Sequence, residues 1–376
     1  MQANVPLKRV RLNLLQAFRG VAALLVVLFH VDQLSNETMN QPFLFDFFQF
    51  GSAGVDYFLV LSGFVAIYAH WNELGVRSFA KFKSFLIKRF IRIYPVYWIV
   101  SSIVLVFFLV IPGFAKPGDL APEFLIKSFL LFPQVNSPLL NVGWTLILIV
   151  FFYLVFSLVY LLPIRLFFGV AGVFILASLT QYIGGLSVTA DYPVLKLVTN
   201  SVNLEFALGC LAAWIVITRH LPQRKTLLYT GAGLLLLFGI LHAYDFLLTT
   251  QAAVEPVSIF GITILLNRVV FFGIPCFLLV MGAASLDMTK GIDIPQWLNY
   301  LGNASYSIYL IHSPIVSAIT KIGVKLGWNN SVWQAFGVNL GIIVIAVGIS
   351  CLFYSFVEQP VVNLLRKQLV KKRQSA

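Results

Sequence analysis

The sequence predicts an all-α fold, a polytopic transmembrane helix bundle of about ten spans with both termini in the cytoplasm. The first observation is composition: 59% of the 376 residues are hydrophobic and only 11% are charged, whereas soluble domains are about 25% charged and about 45–50% apolar. The second is that apolar windows of about 20 residues, enough to cross a bilayer, recur along the chain. The third is that Lys and Arg collect between alternate windows. A soluble domain and a disordered chain are excluded.

The predicted spans follow one another with short loops. They lie near 14–34, 51–70, 95–112, 142–162, 165–182, 201–218, 226–247, 268–286, 301–320 and 334–357. Since these loops leave no room for a separate soluble domain, residues 1–376 form one predicted membrane domain that ends in a basic cytoplasmic tail at 361–376. The stretch 256–286 is long enough to contain a re-entrant or interfacial piece before Arg268.

The positive charge of the chain predicts orientation and partners. The formal net charge is +12, and most of the 26 Lys and Arg residues fall on the side of the N-terminus, so the positive-inside rule places both termini in the cytoplasm. The expected partner is therefore the lipid bilayer and not nucleic acid, because a nucleic-acid-binding protein would place these residues on a hydrated patch. The three cysteines show no metal-ligand spacing, and no metal site is predicted.

Two ionisable residues share one face of the first predicted span. Arg19 and His30 are eleven residues apart, which is about three helical turns and about 16.5 Å along the axis. A cation nearer the cytoplasm and a titratable imidazole deeper in the membrane would suit a substrate with an anionic head and a reactive tail. In the alternative interpretation Arg19 extends to lipid headgroups and His30 is an interfacial residue at a helix end.

The second predicted span begins with small residues and one carboxylate. Gly51, Gly54 and Gly63 allow a close approach of neighbouring helices. Asp56 is a buried acid that needs a partner, and His30 lies at a comparable depth, so an Asp–His pair that raises the basicity of the imidazole is predicted. Alternatively Asp56 only caps or anchors the start of the helix.

A dense basic segment precedes the third predicted span. Arg89 and Arg92 are three residues apart on one helical face, before Pro95, which is predicted to open the span. Two guanidinium groups at this point would bind the phosphates of a soluble nucleotide-like donor in bidentate fashion. They would equally suit anionic lipid headgroups, as juxtamembrane basic clusters generally do.

Polar and aromatic residues in later spans complete the candidate set. Trp144 and Tyr153 flank an apolar stretch, and Tyr309 and His312 share one face of the ninth predicted span; these four are predicted to contact substrate. Glu205 opens the sixth predicted span and is a second candidate catalytic carboxylate besides Asp56. The alternative for the aromatic residues is an interfacial belt.

Several motifs in order carry a resemblance to a known family. They are Arg19-x10-His30, Gly54-Val55-Asp56-Tyr57-Phe58 with Ser62-Gly63-Phe64, Arg89-x-x-Arg92-Ile93-Tyr94-Pro95, Gly143-Trp144-Thr145-Leu146, Ser305-Tyr306-Ser307-Ile308-Tyr309-Leu310-Ile311-His312, and Val357-Glu358-Gln359-Pro360. Together they resemble membrane acyltransferase family 3, and most closely its exopolysaccharide-acylating branch. The resemblance spans nearly the whole chain.

The resemblance implies an O-acyltransferase of the bacterial inner membrane. Its donor would be cytoplasmic acyl-CoA, with acetyl-CoA expected, and its acceptor a hydroxyl of an envelope or exported carbohydrate; no tightly bound cofactor is expected. Carried over residue by residue, His30 would be the catalytic histidine, Arg19 its companion, and Arg89 and Arg92 part of the cytoplasmic CoA site. Direct transfer and an acyl-histidine intermediate are both open.

One position departs from the family pattern. After Trp144-Thr145-Leu146 the family normally places a Glu before the Phe-Tyr pair, and this sequence has Ile149 there. Asp56 or Glu205 would then replace that carboxylate, or the chain is a catalytically impaired relative. A transporter or flippase of a saccharide is the other alternative, suggested by the buried charges, although the sequence shows no internal repeat of the transporter kind.

Overall fold

Helices make up nearly all of the part of the chain that the computed structural model describes. That part comprises residues 10–40, 43, 46–182, 192–244, 255–259, 262–266, 268–328 and 331–369. The α-helices in it are α1 Asn13–Met39, α2 Ala53–His70, α3 Phe79–Val110, α4 Pro122–Leu130, α5 Gly143–Ser157, α6 Ile164–Leu179, α7 Pro193–Thr199, α8 Asn203–Thr218, α9 Arg224–Ala243, α10 Ile274–Lys290, α11 Gln296–Lys325, α12 Val332–Phe353 and α13 Gln359–Leu369.

The predicted class, an all-α membrane bundle, is confirmed. Within the described ranges, nine helical segments are long and apolar enough to cross a bilayer. The predicted span 165–182 corresponds to α6, which is apolar but only 16 residues long, or about 24 Å. A short 3₁₀ turn, Thr180–Tyr182, extends it. The protein is therefore a multi-pass membrane protein, while the side on which its termini lie stays a prediction.

Some predicted segments lie outside the described residues. The basic tail predicted at 361–376 is described as far as Leu369, as part of α13. Residues 370–376 lie outside the described part, as do 1–9 of the predicted membrane domain and 245–247 of the predicted seventh span.

The third span does not begin where the sequence predicted. Helix α3 begins at Phe79, and the Ser78 side chain caps it by accepting a hydrogen bond from the backbone N–H of Lys81 at 3.4 Å. Pro95 therefore lies inside the helix and does not open it, which corrects the prediction. An internal proline removes one backbone hydrogen bond but leaves the helix continuous when packing holds it. Arg89 and Arg92 consequently lie on the same continuous helix as the third span.

A β-hairpin and a π-helical turn precede α10. They lie in the region where the sequence allowed a re-entrant or interfacial segment. Strands β1 (Glu255–Ile259) and β2 (Ile262–Leu266) pair antiparallel, with Glu255 opposite Leu266. A π-helical turn, Val269–Gly273, then leads into α10. Wide turns of this kind shift the direction of side chains and often occur at functional sites.

Glycines bring helix backbones into contact, as the sequence predicted. A Cβ atom at Gly63 would lie 2.0 Å from the carbonyl oxygen of Phe206, so α2 and α8 touch at this point; a Cβ at Gly54 would lie 2.4 Å from the carbonyl oxygen of Ala22 in α1. Gly51 is equally close to α1. Since lipid is as apolar as Leu, such close packing rather than the hydrophobic effect holds membrane helices together.

Close packing at glycines also joins α1 to α11. A Cβ atom at Gly302 would lie 2.1 Å from the carbonyl oxygen of Gln16, and one at Gly20 would lie 3.0 Å from the backbone nitrogen of Gly302. Polar contacts follow the seam, because the Gln16 side chain donates to Asn303 Oδ1 at 2.8 Å. The α1 and α11 pair carries four of the ten candidate site residues, Arg19 and His30 on α1 and Tyr309 and His312 on α11.

The largest buried cluster includes part of this pair and extends to other helices. It contains Leu59 of α2, Tyr97 of α3, Phe152 of α5, Phe206 of α8 and Leu310 of α11. These side chains come from helices that are far apart in sequence, and their packing fixes the walls of the cavity described below.

Candidate active site

Arg19 is tied to the neighbouring helix and does not extend to the lipid surface. Its guanidinium group donates to Gln16 Oε1 at 2.9 Å and, across the helix seam, to Ser305 Oγ at 3.0 Å. Among the described residues it forms no ion pair with a carboxylate. The positive charge of Arg19 is therefore held in place and left for an anionic group.

His30 meets a second histidine. Its Nδ1 atom lies 2.9 Å from the carbonyl oxygen of Val26 and 3.3 Å from Nε2 of His312, and the two rings stand edge to face with centroids 5.0 Å apart. His312 is fully buried, and its Nδ1 lies 2.8 Å from the carbonyl oxygen of Ile308. His30 is only half-buried. In the described part of the chain its Nε2 atom has no hydrogen bond.

The predicted pair of Asp56 and His30 is wrong. The fully buried Asp56 instead accepts hydrogen bonds from Arg268, with Nε of the arginine 2.9 Å from Oδ1 and Nη2 bonded to Oδ2. The π-helical turn after Arg268 brings this side chain to the start of α2, where it also donates to the Ser52 carbonyl at 3.2 Å. A bidentate guanidinium satisfies a buried carboxylate better than one imidazole nitrogen does.

Glu205 belongs to the same buried cluster as Asp56. The residue is fully buried, and neither carboxyl oxygen has a hydrogen-bond partner within the described residues. A Cβ atom added at Gly273 would lie 3.3 Å from its Oε1, and Asp56 and Arg268 are its charged neighbours. Neither carboxylate is hydrogen-bonded to His30, so the two predicted catalytic acids lie in a separate cluster.

Arg92 is paired with the carboxylate of Glu358, a residue for which the sequence predicted no role. Its Nη1 atom lies 2.6 Å from Oε1 of Glu358, and the other oxygen of Glu358 accepts a hydrogen bond from Ser307 Oγ at 2.6 Å. Its guanidinium also lies over the Tyr306 ring, 5.3 Å from the centroid. The motif Val357-Glu358-Gln359-Pro360 was the available signal, since a Glu at the end of an apolar span needs a partner.

Arg89 has a different environment, one helical turn away. Its guanidinium lies over the rings of Phe85 and Tyr153, 5.0 and 4.6 Å from their centroids. Its buried Nε atom has no hydrogen-bond partner, and it forms no ion pair, in the part of the chain that the structure describes. Stacking on aromatic faces fixes the group without neutralising it.

An internal cavity joins these arginines to the helices that carry the histidines. Its volume is about 270 Å³, and Arg19, Arg89 and Arg92 line it together with Tyr309. Ser305, Tyr309 and His312 lie three or four residues apart on α11, so Tyr309 lies between the contact of Arg19 and the histidine pair. The Tyr309 and His312 ring centroids are 6.1 Å apart. The histidines themselves do not line the cavity in this structure.

A second, polar cavity adjoins the first. Its volume is about 330 Å³, and Arg19 and Arg92 line both cavities. Asn363 and the exposed Arg366 of α13 form part of its wall. The two cavities therefore meet at the two arginines, with the polar one beside the basic α13 and the largely apolar one inside the bundle.

Of the four residues predicted to contact substrate, two line the inner cavity and two do not. Tyr153 and Tyr309 line the inner cavity, and the Tyr309 hydroxyl bonds to Thr145 Oγ1 at 2.6 Å. Trp144 and His312 do not line it, so a contact of these two residues with substrate stays a prediction. Trp144 packs beside the main buried cluster, because successive helical residues point about 100° apart and Thr145 takes the cavity face.

Ile149 lies directly in the wall of the inner cavity, as does Tyr153, four residues further along α5. The position where the family pattern expects a carboxylate thus faces the cavity, and here it is apolar. Any charge in this part of the cavity comes from the arginines.

The comparisons with known proteins agree with this arrangement. A family profile described as an acyltransferase domain, that of acyltransferase family 3, matches residues 12–355. The chain belongs to this family and is a membrane acyltransferase.

Two relatives are similar over most of the chain. The exopolysaccharide production protein ExoZ of Rhizobium meliloti (strain 1021) is 29% identical over 290 residues, which cover 74% of this chain and 81% of ExoZ. The acyltransferase MdmB of Streptomyces mycarofaciens is 26% identical, with 97% of this chain and 95% of MdmB covered. No solved structure was found to match.

Proposed function

We propose that this protein is an O-acyltransferase of the bacterial inner membrane that moves an acyl group, acetyl in the simplest case, from cytoplasmic acyl-CoA to a hydroxyl of an envelope or exported carbohydrate. The observation that carries this proposal is the cavity lined by Arg19, Arg89, Arg92 and Tyr309, which lies beside the pair of His30 and His312. It offers cations for the head of a donor and a largely apolar space for its arm.

The donor site is supported by the charge pairing. Arg19 and Arg89 carry charges that no carboxylate in the described residues balances, while Arg92 shares its charge with Glu358. The phosphates of CoA would bind near the point where the two cavities meet, where the unbalanced charges of Arg19 and Arg89 line the inner cavity. The pantetheine arm would then extend along the apolar wall that contains Ile149, towards Tyr309.

The proposed reaction uses His30 as a general base. Its Nε2 atom takes the proton from the acceptor hydroxyl while the hydroxyl oxygen attacks the thioester carbonyl. The carbon–sulfur bond breaks, CoA leaves as the thiolate, and the imidazolium returns the proton to that sulfur. A positioned base of this kind contributes about 10²–10⁴-fold in rate.

The carbohydrate acceptor is supported by one relative. The name of ExoZ places that protein in exopolysaccharide production. An acceptor outside the cytoplasm also fits a histidine that lies about 16.5 Å deeper along α1 than Arg19. The transporter alternative has no comparable support, because the matching family and the second relative are acyltransferases.

A purified preparation tests the proposal. The full chain in nanodiscs is given acetyl-CoA labelled in the acetyl group together with a soluble saccharide fraction, and both labelled saccharide and free CoA are measured. We expect transfer and release in equal amounts, with at least a hundredfold loss for His30→Ala. The control is His220→Ala, because His220 is exposed at the end of α8. An absence of transfer, or equal activity of His30→Ala and the parent, would contradict the proposal.

A second candidate is a catalytically impaired relative, and Ile149 in the cavity wall favours it. The same assay with Ile149→Glu distinguishes an active parent enzyme from an impaired one. For an active parent we expect a higher KM for acetyl-CoA and no gain in kcat, because the new carboxylate would compete with donor phosphates for the nearby guanidinium of Arg89. Ile149→Gln is the uncharged control. A clear rise in kcat for Ile149→Glu would identify the parent as impaired.

A further inference from the structure

The two histidines of the site share one hydrogen-bonding arrangement. Nδ1 of His312 lies 2.8 Å from the Ile308 carbonyl oxygen, and Nδ1 of His30 lies 2.9 Å from the Val26 carbonyl oxygen. A carbonyl oxygen only accepts, so each Nδ1 atom must carry a hydrogen. In a neutral imidazole the other nitrogen is then a bare acceptor.

The contact between the rings follows from these protons. Nε2 of His312 lies 3.3 Å from Nδ1 of His30. The first atom presents a lone pair and the second an N–H, so His30 donates a second, shared hydrogen bond to His312. With its proton held on Nδ1, His30 keeps Nε2 free as a base.

We infer that His312 is a positioning residue that holds His30 in the tautomer with Nδ1 protonated and Nε2 free to accept the proton of the acceptor hydroxyl. This inference rests on the proposed role of His30 as general base and adds the residue that prepares it. His312 itself acts through His30, because His312 is fully buried whereas His30 is only half-buried.

The seam between α1 and α11 fixes the distance between the rings. Gly20 and Gly302 bring the two backbones into contact, and the hydrogen bond from Arg19 to Ser305, about one turn along α11 from Gly302, ties the two helices together. A ring that is held on one edge by a helix carbonyl and on the same edge by a second ring has little freedom to rotate. Its opposite edge, with Nε2, then keeps one direction.

The same contact stabilises the charged form of His30. When Nε2 takes a proton, the imidazolium keeps its Nδ1–H bonds to the Val26 carbonyl and to the lone pair of His312. Charge-assisted hydrogen bonds are stronger than neutral ones. His312 thus does for this histidine what a carboxylate does in other catalytic pairs, since neither Asp56 nor Glu205 is hydrogen-bonded to His30.

Kinetics of two variants form the first test, with the full chain in nanodiscs. His312→Leu fills a similar volume without an acceptor, whereas His312→Gln can place its amide oxygen near the former Nε2. We expect His312→Leu to lower kcat at least tenfold with little change in the KM for acetyl-CoA, and His312→Gln to recover most of kcat. Equal kcat for His312→Leu and the parent, or an increase in the KM for acetyl-CoA with kcat unchanged, would overturn the inference.

Spectroscopy gives a second test that does not depend on turnover. The protein is labelled with ¹⁵N-histidine, and the His30 signals are assigned among the five histidines by their loss in His30→Gln. We expect a protonated Nδ1 and an unprotonated Nε2 in the parent, and a shift towards the other tautomer in His312→Leu. A proton on Nε2 of neutral His30 in the parent would overturn the inference. If no acyl transfer is found but this tautomer is, only the proposed function fails.

Discussion

At the scale of single residues, charge pairing separates three arginines that look alike in the sequence. Arg92 is balanced by Glu358, whereas Arg19 is held only by neutral hydrogen bonds and Arg89 only by aromatic rings. A guanidinium that already has a carboxylate offers less attraction to an incoming phosphate. Arg89 is therefore expected to contribute more to donor binding than Arg92, and Arg92 more to the stability of the bundle.

Single substitutions test this division. Arg89→Gln is expected to raise the Kd for acetyl-CoA, and to raise it more at low salt than at high salt, because phosphate contacts are screened. Arg92→Gln leaves a buried carboxylate unpaired and is expected to lower the free energy of unfolding by about 3 kcal/mol. Binding is measured by isothermal titration and stability by thermal unfolding in detergent. Unchanged affinity in Arg89→Gln would identify this residue as a lipid or topology anchor.

At the scale of elements, glycine contacts decide which helices pair. Gly63 and Gly209 lie opposite each other, and Cβ atoms there would lie 2.0 Å from the Phe206 carbonyl oxygen and 1.9 Å from the Val60 carbonyl oxygen. Because the obstructing atoms are backbone, α2 and α8 would have to separate to accept even a methyl group. The start of α8, which carries Glu205, would move with them.

Gly209→Ala is accordingly expected to destabilise the protein by about 3 kcal/mol, the upper end of the cost of overpacking a core. Gly172→Ala is the matched control, since it also lies in an apolar helix but a Cβ there meets nothing within 4 Å. The thermal unfolding midpoint of each purified variant in the same detergent provides the comparison. Equal midpoints for both variants would show that α2 and α8 are not in backbone contact.

At the scale of the whole molecule, the direction of α11 relative to α1 indicates how many helices cross the membrane. Gln16 contacts Asn303, Arg19 contacts Ser305 and His30 contacts His312, so α1 and α11 run parallel. Successive spans cross the membrane in alternating directions. If only the eight candidate spans found among the described residues from α1 to α11 crossed it, α1 and α11, the first and the eighth, would be antiparallel. We therefore expect α6 to cross the membrane as well, which returns the chain after α12 to the side of its N-terminus.

Cysteine labelling tests this topology. In a background with the three native cysteines replaced by Ser, Arg165→Cys lies in the first turn of α6 and Lys196→Cys lies in α7, beyond the other end of α6, and both positions are exposed. In intact cells we expect a membrane-impermeant thiol reagent to label Lys196→Cys and not Arg165→Cys. Both become labelled after permeabilisation. Equal labelling of the two in intact cells would place both ends of α6 on one side.

The sequence alone determined the class of the protein, because span length and charge asymmetry are local properties of composition. It also determined the close helix approach at Gly54 and Gly63, which follows from the small side chains there. Only the tertiary structure decided the partners. Asp56 pairs with Arg268 and His30 meets His312, because contacts between helices hundreds of residues apart depend on how the backbones pack, and no local pattern records that packing.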